Sequence, residues 1–111
     1  MSSEKRKFKR YKIFLEVQLK TIDDDIYSAY AVDASEEGIR VCTHSEYIII
    51  SPGTKFHILI DQGKNNSFSL LAKSIHYSFE EDKTTVLGAQ IFHKDEASKK
   101  NWLTVINKNK K

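Results

Sequence analysis

The sequence predicts a mostly β domain, a small antiparallel barrel or sandwich of five or six strands with one helix at its C-terminal end. Apolar and polar residues alternate over several short segments, and polar turn residues separate those segments. The alternation gives way to helical spacing after residue 93. We expect a closed or two-layered sheet, because that architecture leaves few strand edges exposed.

The first half of the chain predicts three strands. Residues 12–20 place an apolar side chain at every second position from 13 to 19, which indicates a strand with one buried face. Residues 26–32 continue the extended pattern, and a tight polar loop at 33–38 interrupts it. The pattern resumes over residues 39–43.

The second half predicts three further strands and the helix. The strands are expected at residues 54–61, 68–79 and 85–93, after turns at 52–53, 63–66 and 80–83. Asp95 is a suitable N-cap, and Glu96 follows in the first turn, where a negative charge is favourable. The residues that recur at helical spacing are Ser98, Trp102, Val105 and Ile106.

Length and composition favour one folded domain of 111 residues. The lone cysteine, Cys42, has no disulfide partner, and we expect it to be a small buried residue in a strand. The charged start lacks the apolar run of a signal peptide, and no apolar segment approaches the roughly 20 residues of a membrane span. These features predict a cytoplasmic protein that does not insert into membranes.

Charge is distributed unevenly along the chain. The net charge is only +3, but lysines and arginines crowd the first 12 residues and lysines close the last four, whereas the acidic groups lie mostly between. An anionic partner is therefore expected to meet the termini. We interpret residues 1–11 as a flexible basic arm and residues 12–111 as the folded domain.

No pattern of residues indicates catalysis, a metal or a cofactor. The four histidines are scattered over separate segments, and none forms the close pair typical of metal or hydrolytic motifs. Ser35 lacks the context of a nucleophile elbow, and the acidic clusters at 23–25 and 80–82 fall in predicted turns. The sequence predicts a binding protein and not an enzyme.

Two features could bind an anionic ligand. Arg6 and Arg10 precede the first strand, roughly 13 Å apart if the segment is extended, and can converge if it bends. Arginine presents a planar fork that fits phosphate oxygens or the O6/N7 edge of guanine. The second feature is Asp33-x-Ser35-x-x-Gly38, which offers a carboxylate, a hydroxyl and a tight turn. Taken separately, a basic arm can also be a solvated terminus, and the loop can be an ordinary Asx-type turn.

Together the two features resemble the paired signature of the PilZ domain family, Arg-x-x-x-Arg followed by Asp-x-Ser-x-x-Gly. The similarity extends to Pro52-Gly-Thr-Lys-Phe56 and to Leu87-Gly-Ala-Gln-Ile-Phe92, so that it covers nearly the whole chain. The resemblance implies a six-stranded PilZ-type barrel with a C-terminal helix that binds cyclic di-GMP as a ligand. It implies these ligand-binding residues: Arg6, Arg10, Asp33, Ser35, Gly38 and, from its place beside the arm, Lys5.

The resemblance further implies a receptor that signals through its arm. Ordering of the arm over the ligand would create a surface that a downstream protein effector reads. One alternative is a PilZ-like adaptor that binds proteins and ignores nucleotide. The other is a binder of single-stranded nucleic acid, although the aromatic residues alternate into predicted core faces and no specific nucleic acid partner is expected.

Overall fold

The computed structural model describes residues 8–43, 50–63, 67–80 and 83–111. These residues form six strands and one helix, as the sequence predicts. In chain order they are β1 (Tyr11–Lys20), β2 (Ile26–Ser35), β3 (Gly38–Thr43), β4 (Lys55–Asp61), β5 (Ser67–Phe79), β6 (Thr85–Phe92) and α1 (Glu96–Asn109).

The six strands close into one antiparallel barrel in the order β1-β2-β3-β6-β5-β4. The predicted fold class is therefore confirmed. Of the two predicted architectures, the structure has the closed barrel and not the sandwich. Closure removes the free sheet edges that would otherwise pair with other chains.

Alternation along each strand builds the core. The inward residues of β1 are buried almost completely, with Leu19 fully inaccessible, and those of β4 are buried in the same way. Branched aliphatic side chains suit this half-buried, pleated surface. Phe56 and Trp102 are the largest fully buried side chains.

The helix covers the barrel beside β1 and β2. Its N-cap is Asp95, whose Oδ1 accepts a hydrogen bond from Ser98 N at 2.8 Å, as the capping pattern predicts. Trp102, Val105 and Ile106 form its buried face. Residues after the helix return to β1, where Lys110 pairs with Ile13.

One predicted boundary is wrong. The second strand does not stop at residue 32 but runs to Ser35, so that only Glu36 and Glu37 form the turn before β3. A register shift between Ala31 and Asp33 keeps the carboxylate partly exposed on the outside of the barrel, while the next two residues are buried. The polar residue that suggested a loop is thus part of the strand.

Two predictions of buried side chains also fail, because the residues concerned lie on the outer face of the barrel. Cys42 is half-buried and not fully buried, because it lies opposite Tyr30 on the outer face. Not all aromatic residues point into the core: Phe14 and Tyr30 stack on each other outside the barrel, with centroids 5.1 Å apart. Among the described residues, no helix is both long and apolar enough to cross a bilayer.

Candidate ligand-binding site

Three strands change register at one level of the barrel. The shifts lie between Lys12 and Leu15 in β1, between Ala31 and Asp33 in β2, and between Ser74 and His76 in β5. Bulges of this kind re-aim side chains and are common beside functional sites. At this level the paired residues follow one another across five strands as Lys12, Asp33, Arg40, Gly88 and His76.

Asp33 lies between two arginines, Arg40 in this row and Arg10 just before β1. Its Oδ1 accepts a hydrogen bond from Arg10 Nε at 3.1 Å, and its Oδ2 lies 4.0 Å from Arg40 Nη1. Arg10 and Asp33 are partly buried, with side chains 23% and 18% exposed, whereas Arg40 is 51% exposed. Asp33 therefore holds Arg10 in place with Oδ1, and its Oδ2 remains more accessible to another donor.

Ser35 and Gly38 complete the turn that follows. A Cβ added at Gly38 would lie 3.2 Å from Ser35 Oγ and 3.6 Å from Arg10 Nη1. Glycine at this position therefore allows the turn to approach both side chains closely. Ser35 is buried, with its backbone fixed from the other side by the helix.

Three consecutive backbone carbonyls of this turn accept hydrogen bonds from the last third of the chain. Trp102 Nε1 donates to Ser35 O at 2.8 Å, and Ile91 N donates to Glu37 O at 2.9 Å. His93 Nε2 lies 2.7 Å from Glu36 O, which fixes it as the donor because a carbonyl only accepts. These bonds fix the turn rigidly between β6 and α1.

An ion-pair cluster supports the same turn. Lys99 lies 3.3 Å from Glu96 and 3.5 Å from Glu36, the first residue of the turn. The hydrogen bond and the charge of Glu96, together with the charge of Glu36, raise the pKa of Lys99. Lys99 therefore links the first turn of α1 to the Ser35–Gly38 turn and is charged throughout the physiological pH range.

A groove of about 380 Å³ opens beside these residues. Its walls include Arg10, Ser35 and Gly38 from the predicted site, together with Arg40 and His76. A volume of this size lies within the range of small-molecule sites. The groove thus brings basic forks, a hydroxyl-bearing turn and exposed apolar surface together.

A larger groove of about 720 Å³ lies elsewhere on the barrel, along β1, β2, β4 and β5. Its charged lining residues are Glu16 and Asp61, and none of the described residues that line it is basic. An anionic ligand would be repelled there. Size alone is therefore a poor guide, and the smaller groove is the better candidate.

The structure brings together four of the six predicted ligand-binding residues: Arg10, Asp33, Ser35 and Gly38. Lys5 and Arg6 lie outside the described residues. Sequence reasoning missed Arg40 and His76. Arg40 could have been found, because it follows Gly38 by two positions in an alternating strand and must face the same side as the turn. His76 could not, since the bulge before it breaks the alternation.

The model of the PilZ domain family matches residues 4–106. The chain belongs to the PilZ domain family. PilZ domains are binding modules and not a catalytic family. Among the described residues, no three His, Cys, Asp or Glu side chains group closely enough to hold a metal ion.

Solved structures, among them a PilZ domain, share the fold at low sequence identity. The PilZ domain of YcgR from Escherichia coli with cyclic di-GMP has a TM-score of 0.76 at 16% identity, covering 94% of this chain and 90% of that one. The inhibitor of motility MotI (DgrA) from Bacillus subtilis has a TM-score of 0.73 at 12% identity, covering 93% of this chain. The cyclic di-GMP complex of MrkH from K. pneumonia has a TM-score of 0.67 at 8% identity, covering 92% of this chain.

This PilZ chain corresponds to only part of some of these proteins. It spans 49% of the MotI chain and 51% of the MrkH chain. No curated protein matches the chain. The shared feature is the barrel with its helix, and the ligand of this chain has to be argued from its own residues.

Proposed function

We propose that this chain is a cyclic di-GMP receptor. The observation that carries the proposal is the Arg10–Asp33 pair, 3.1 Å apart, whose arginine lines an open groove together with Ser35 and Gly38. A cyclic dinucleotide presents two negative charges and two guanine edges, which are the groups that arginine forks and a carboxylate recognise. The family match supports the same ligand, as does the cyclic di-GMP in the YcgR and MrkH complexes.

The two residues of the pair would take different parts of the ligand. Arg10 uses Nε for Asp33, so its two terminal nitrogens are available for phosphate oxygens or for guanine O6 and N7. Asp33 can accept from the N–H groups on a guanine edge with the oxygen that Arg10 does not use. Asp33 thus both orients the arginine and reads the base.

The arm would close the site. By resemblance to the family, Arg6 would add a second fork and Lys5 a further charge, after residues before β1 fold over the ligand. Fixing five or six residues costs on the order of 5–10 kcal/mol of backbone entropy, more than one bidentate contact of about 1–3 kcal/mol can offset. Several contacts must therefore form together, and arm and ligand become ordered as a unit that a protein effector can read.

Arg10→Ala and Asp33→Ala test the proposal. Each is expected to weaken cyclic di-GMP binding by about 1–3 kcal/mol, because each removes a charge-assisted contact to the ligand. The barrel should stay folded, since a partly exposed ion pair contributes only about 0–1 kcal/mol. Isothermal titration calorimetry measures the affinity, and thermal unfolding followed by circular dichroism measures stability.

Lys20→Ala is the matched control. Lys20 lies at the other end of β1, roughly 30 Å from Arg10 along the strand, and its exposed ion pair with Asp24 is 3.6 Å long. The Lys20→Ala substitution removes a positive charge that does not line the groove, and it should leave the affinity for cyclic di-GMP unchanged. Equal affinities for wild type, R10A and D33A would remove the proposed site, and absence of cyclic di-GMP binding by the wild type would favour a protein-binding adaptor.

One observation favours single-stranded nucleic acid as a second candidate. The outward stack of Phe14 on Tyr30 has Lys111 Nζ 5.6 Å from the Phe14 ring centre, which combines aromatic surface with positive charge. Titration with GTP and with a short oligonucleotide separates the candidates. Salt-sensitive binding of oligonucleotides of any sequence, lost in Phe14→Ala, would support this second function.

A further inference from the structure

The bulged row continues beyond the residues of the family signature. Asp33 follows the register shift in β2, and His76 follows the equivalent shift in β5 on the far side of the row. Arg40 and Gly88 lie between them on β3 and β6, which pair with each other without a shift. The two register shifts thus set one polar side chain on each side of the regularly paired strands β3 and β6.

Gly88 makes the floor of this stretch bare. Among the described residues, a Cβ built on Gly88 would meet only His76 Cβ within 4 Å, at 3.7 Å, so that this part of the chain leaves the space above the backbone open. Most strand positions carry a side chain that would fill this space, and glycine in a strand often marks the close approach of a ligand. At this single strand position no side chain covers the backbone, so a planar ring can lie directly on it.

The neighbours of Gly88 suit a purine. Arg40 is 51% exposed and lies 4.0 Å from Asp33 at its nearest, which is beyond hydrogen-bond range, so its fork remains available. His76 is exposed on the opposite side and offers an aromatic face. Ile75, inside the bulge, is 55% exposed and adds apolar surface to the same groove.

We propose that the second purine base of a cyclic dinucleotide lies on the backbone of Gly88, between the Arg40 fork and the His76 ring. This inference rests on the proposed function and extends it to residues outside the Arg-x-x-x-Arg and Asp-x-Ser-x-x-Gly signature. Arg40 makes a bidentate contact with O6 and N7 of that base, and His76 packs against its edge or face. The signature residues bind one half of the ligand, and the Arg40–Gly88–His76 row binds the other.

Filling the floor is the first test. Gly88→Val is compatible with a strand, where β-branched residues are favoured, and the ordinary 3.7 Å spacing to His76 leaves room for the first added carbon. The affinity for cyclic di-GMP in calorimetry is expected to fall tenfold or more, with an unchanged unfolding temperature. Gly88→Ala, a smaller obstruction, should give an intermediate loss, which keeps the test valid if the valine variant folds poorly.

Replacing Arg40 distinguishes base recognition from charge. Arg40→Ala and Arg40→Lys should both weaken cyclic di-GMP binding, by roughly 5- to 150-fold, because lysine keeps the charge but lacks the planar fork. His76→Ala should also weaken it, whereas His57→Ala, on an exposed position of β4 that does not line the groove, should not. Full rescue by Arg40→Lys would show that only charge matters and would overturn the assignment of a base.

The controls separate this inference from the function on which it rests. A wild type that binds no cyclic di-GMP overturns the proposed function and the inference together. A wild type that binds, with Arg10→Ala weakened but the Gly88, Arg40 and His76 variants at wild-type affinity, overturns the inference alone. Weakening in both sets supports a ligand that spans the whole row.

Discussion

Gly38 is tightly packed in the turn formed by residues 35–38, here called the ligand turn after the proposed function. Its missing side chain lets Ser35 Oγ and Arg10 Nη1 approach to within 3.2 and 3.6 Å of the position a Cβ would take. A contact of 3.2 Å is tighter than carbon normally tolerates, while 3.6 Å is ordinary. The crowding therefore comes from the serine and not from the arginine.

Gly38→Ala is expected to destabilise the barrel by about 1 kcal/mol, as overpacking of a buried position does. The double variant Ser35→Ala/Gly38→Ala should recover most of that loss, because it removes the oxygen that the new methyl group meets. Chemical denaturation of the two single variants and the double variant measures the coupling. Additive losses would show that the two positions do not interact.

Some of this residue-level detail can be predicted from the sequence. The spacing from Asp33 to Gly38 indicates a turn with a carboxylate near a hydroxyl, and the structure places Arg10 beside it. The row from Asp33 to His76 cannot be predicted, because it depends on register shifts in two strands far apart in the chain. Alternation reports which face a residue takes only where the strand is regular.

At the scale of elements, the helix and the ligand turn form one unit. Trp102 contributes both parts of the link: its ring is fully buried, and its Nε1 donates to Ser35 O. The sequence predicts Trp102 at helical spacing with Val105 and Ile106, and the structure confirms the helix and buries these three residues. The partner of its N–H could not be predicted, since Ser35 lies 67 positions earlier in the chain.

Trp102→Phe separates packing from the hydrogen bond. The ring remains apolar and aromatic, but the buried carbonyl of Ser35 loses its donor, which costs about 1–3 kcal/mol of stability. The loosened turn should also bind cyclic di-GMP more weakly. Unfolding and calorimetric titration of the same preparation measure both effects.

Asp95→Ala is the control for this variant. Loss of the N-cap bond to Ser98 should cost about 1 kcal/mol of stability without removing a hydrogen bond to the carbonyls of the Ser35–Gly38 turn. A similar loss of affinity in both variants would mean that binding follows overall stability. Weakened binding in Trp102→Phe alone would identify Trp102 as a positioning residue.

At the scale of the whole molecule, the barrel has one short seam. β1 and β4 pair over only three residues each, whereas β1 and β2 pair along almost their full length. Past this seam the chain's own end supports β1, where Lys111 N donates to Lys12 O at 3.0 Å. The β1–β4 ladder therefore contributes few hydrogen bonds to barrel closure, and residues after the helix add support to β1.

Local opening should begin at this seam. In hydrogen–deuterium exchange, peptides covering the β1–β4 contact are expected to exchange before those covering β3 and β6, because fewer ladder hydrogen bonds must break. Ligand binding at the far row should protect β2, β3 and β6 more than the seam. Uniform exchange around the barrel would contradict the prediction.

The basic residues at the two ends of the sequence lie close together in the folded structure. The sequence predicts that both ends are basic, and the structure brings them together: Lys9 and Lys110 lie 5.4 and 4.6 Å from the centre of the same Tyr11 ring. Such pairs are weakly attractive when exposed. The two basic ends thus reinforce each other beside β1, although the net charge is only +3.

The three carbonyls of the ligand turn have a consequence for biosynthesis. Ser35 and Glu36 receive their hydrogen bonds from residues 67 and 57 positions later. A nascent chain that has made β1 to β3 therefore carries every residue of the binding signature and still lacks the donors that shape it. Under the proposed function, competence for cyclic di-GMP is therefore expected only after α1 has left the ribosome.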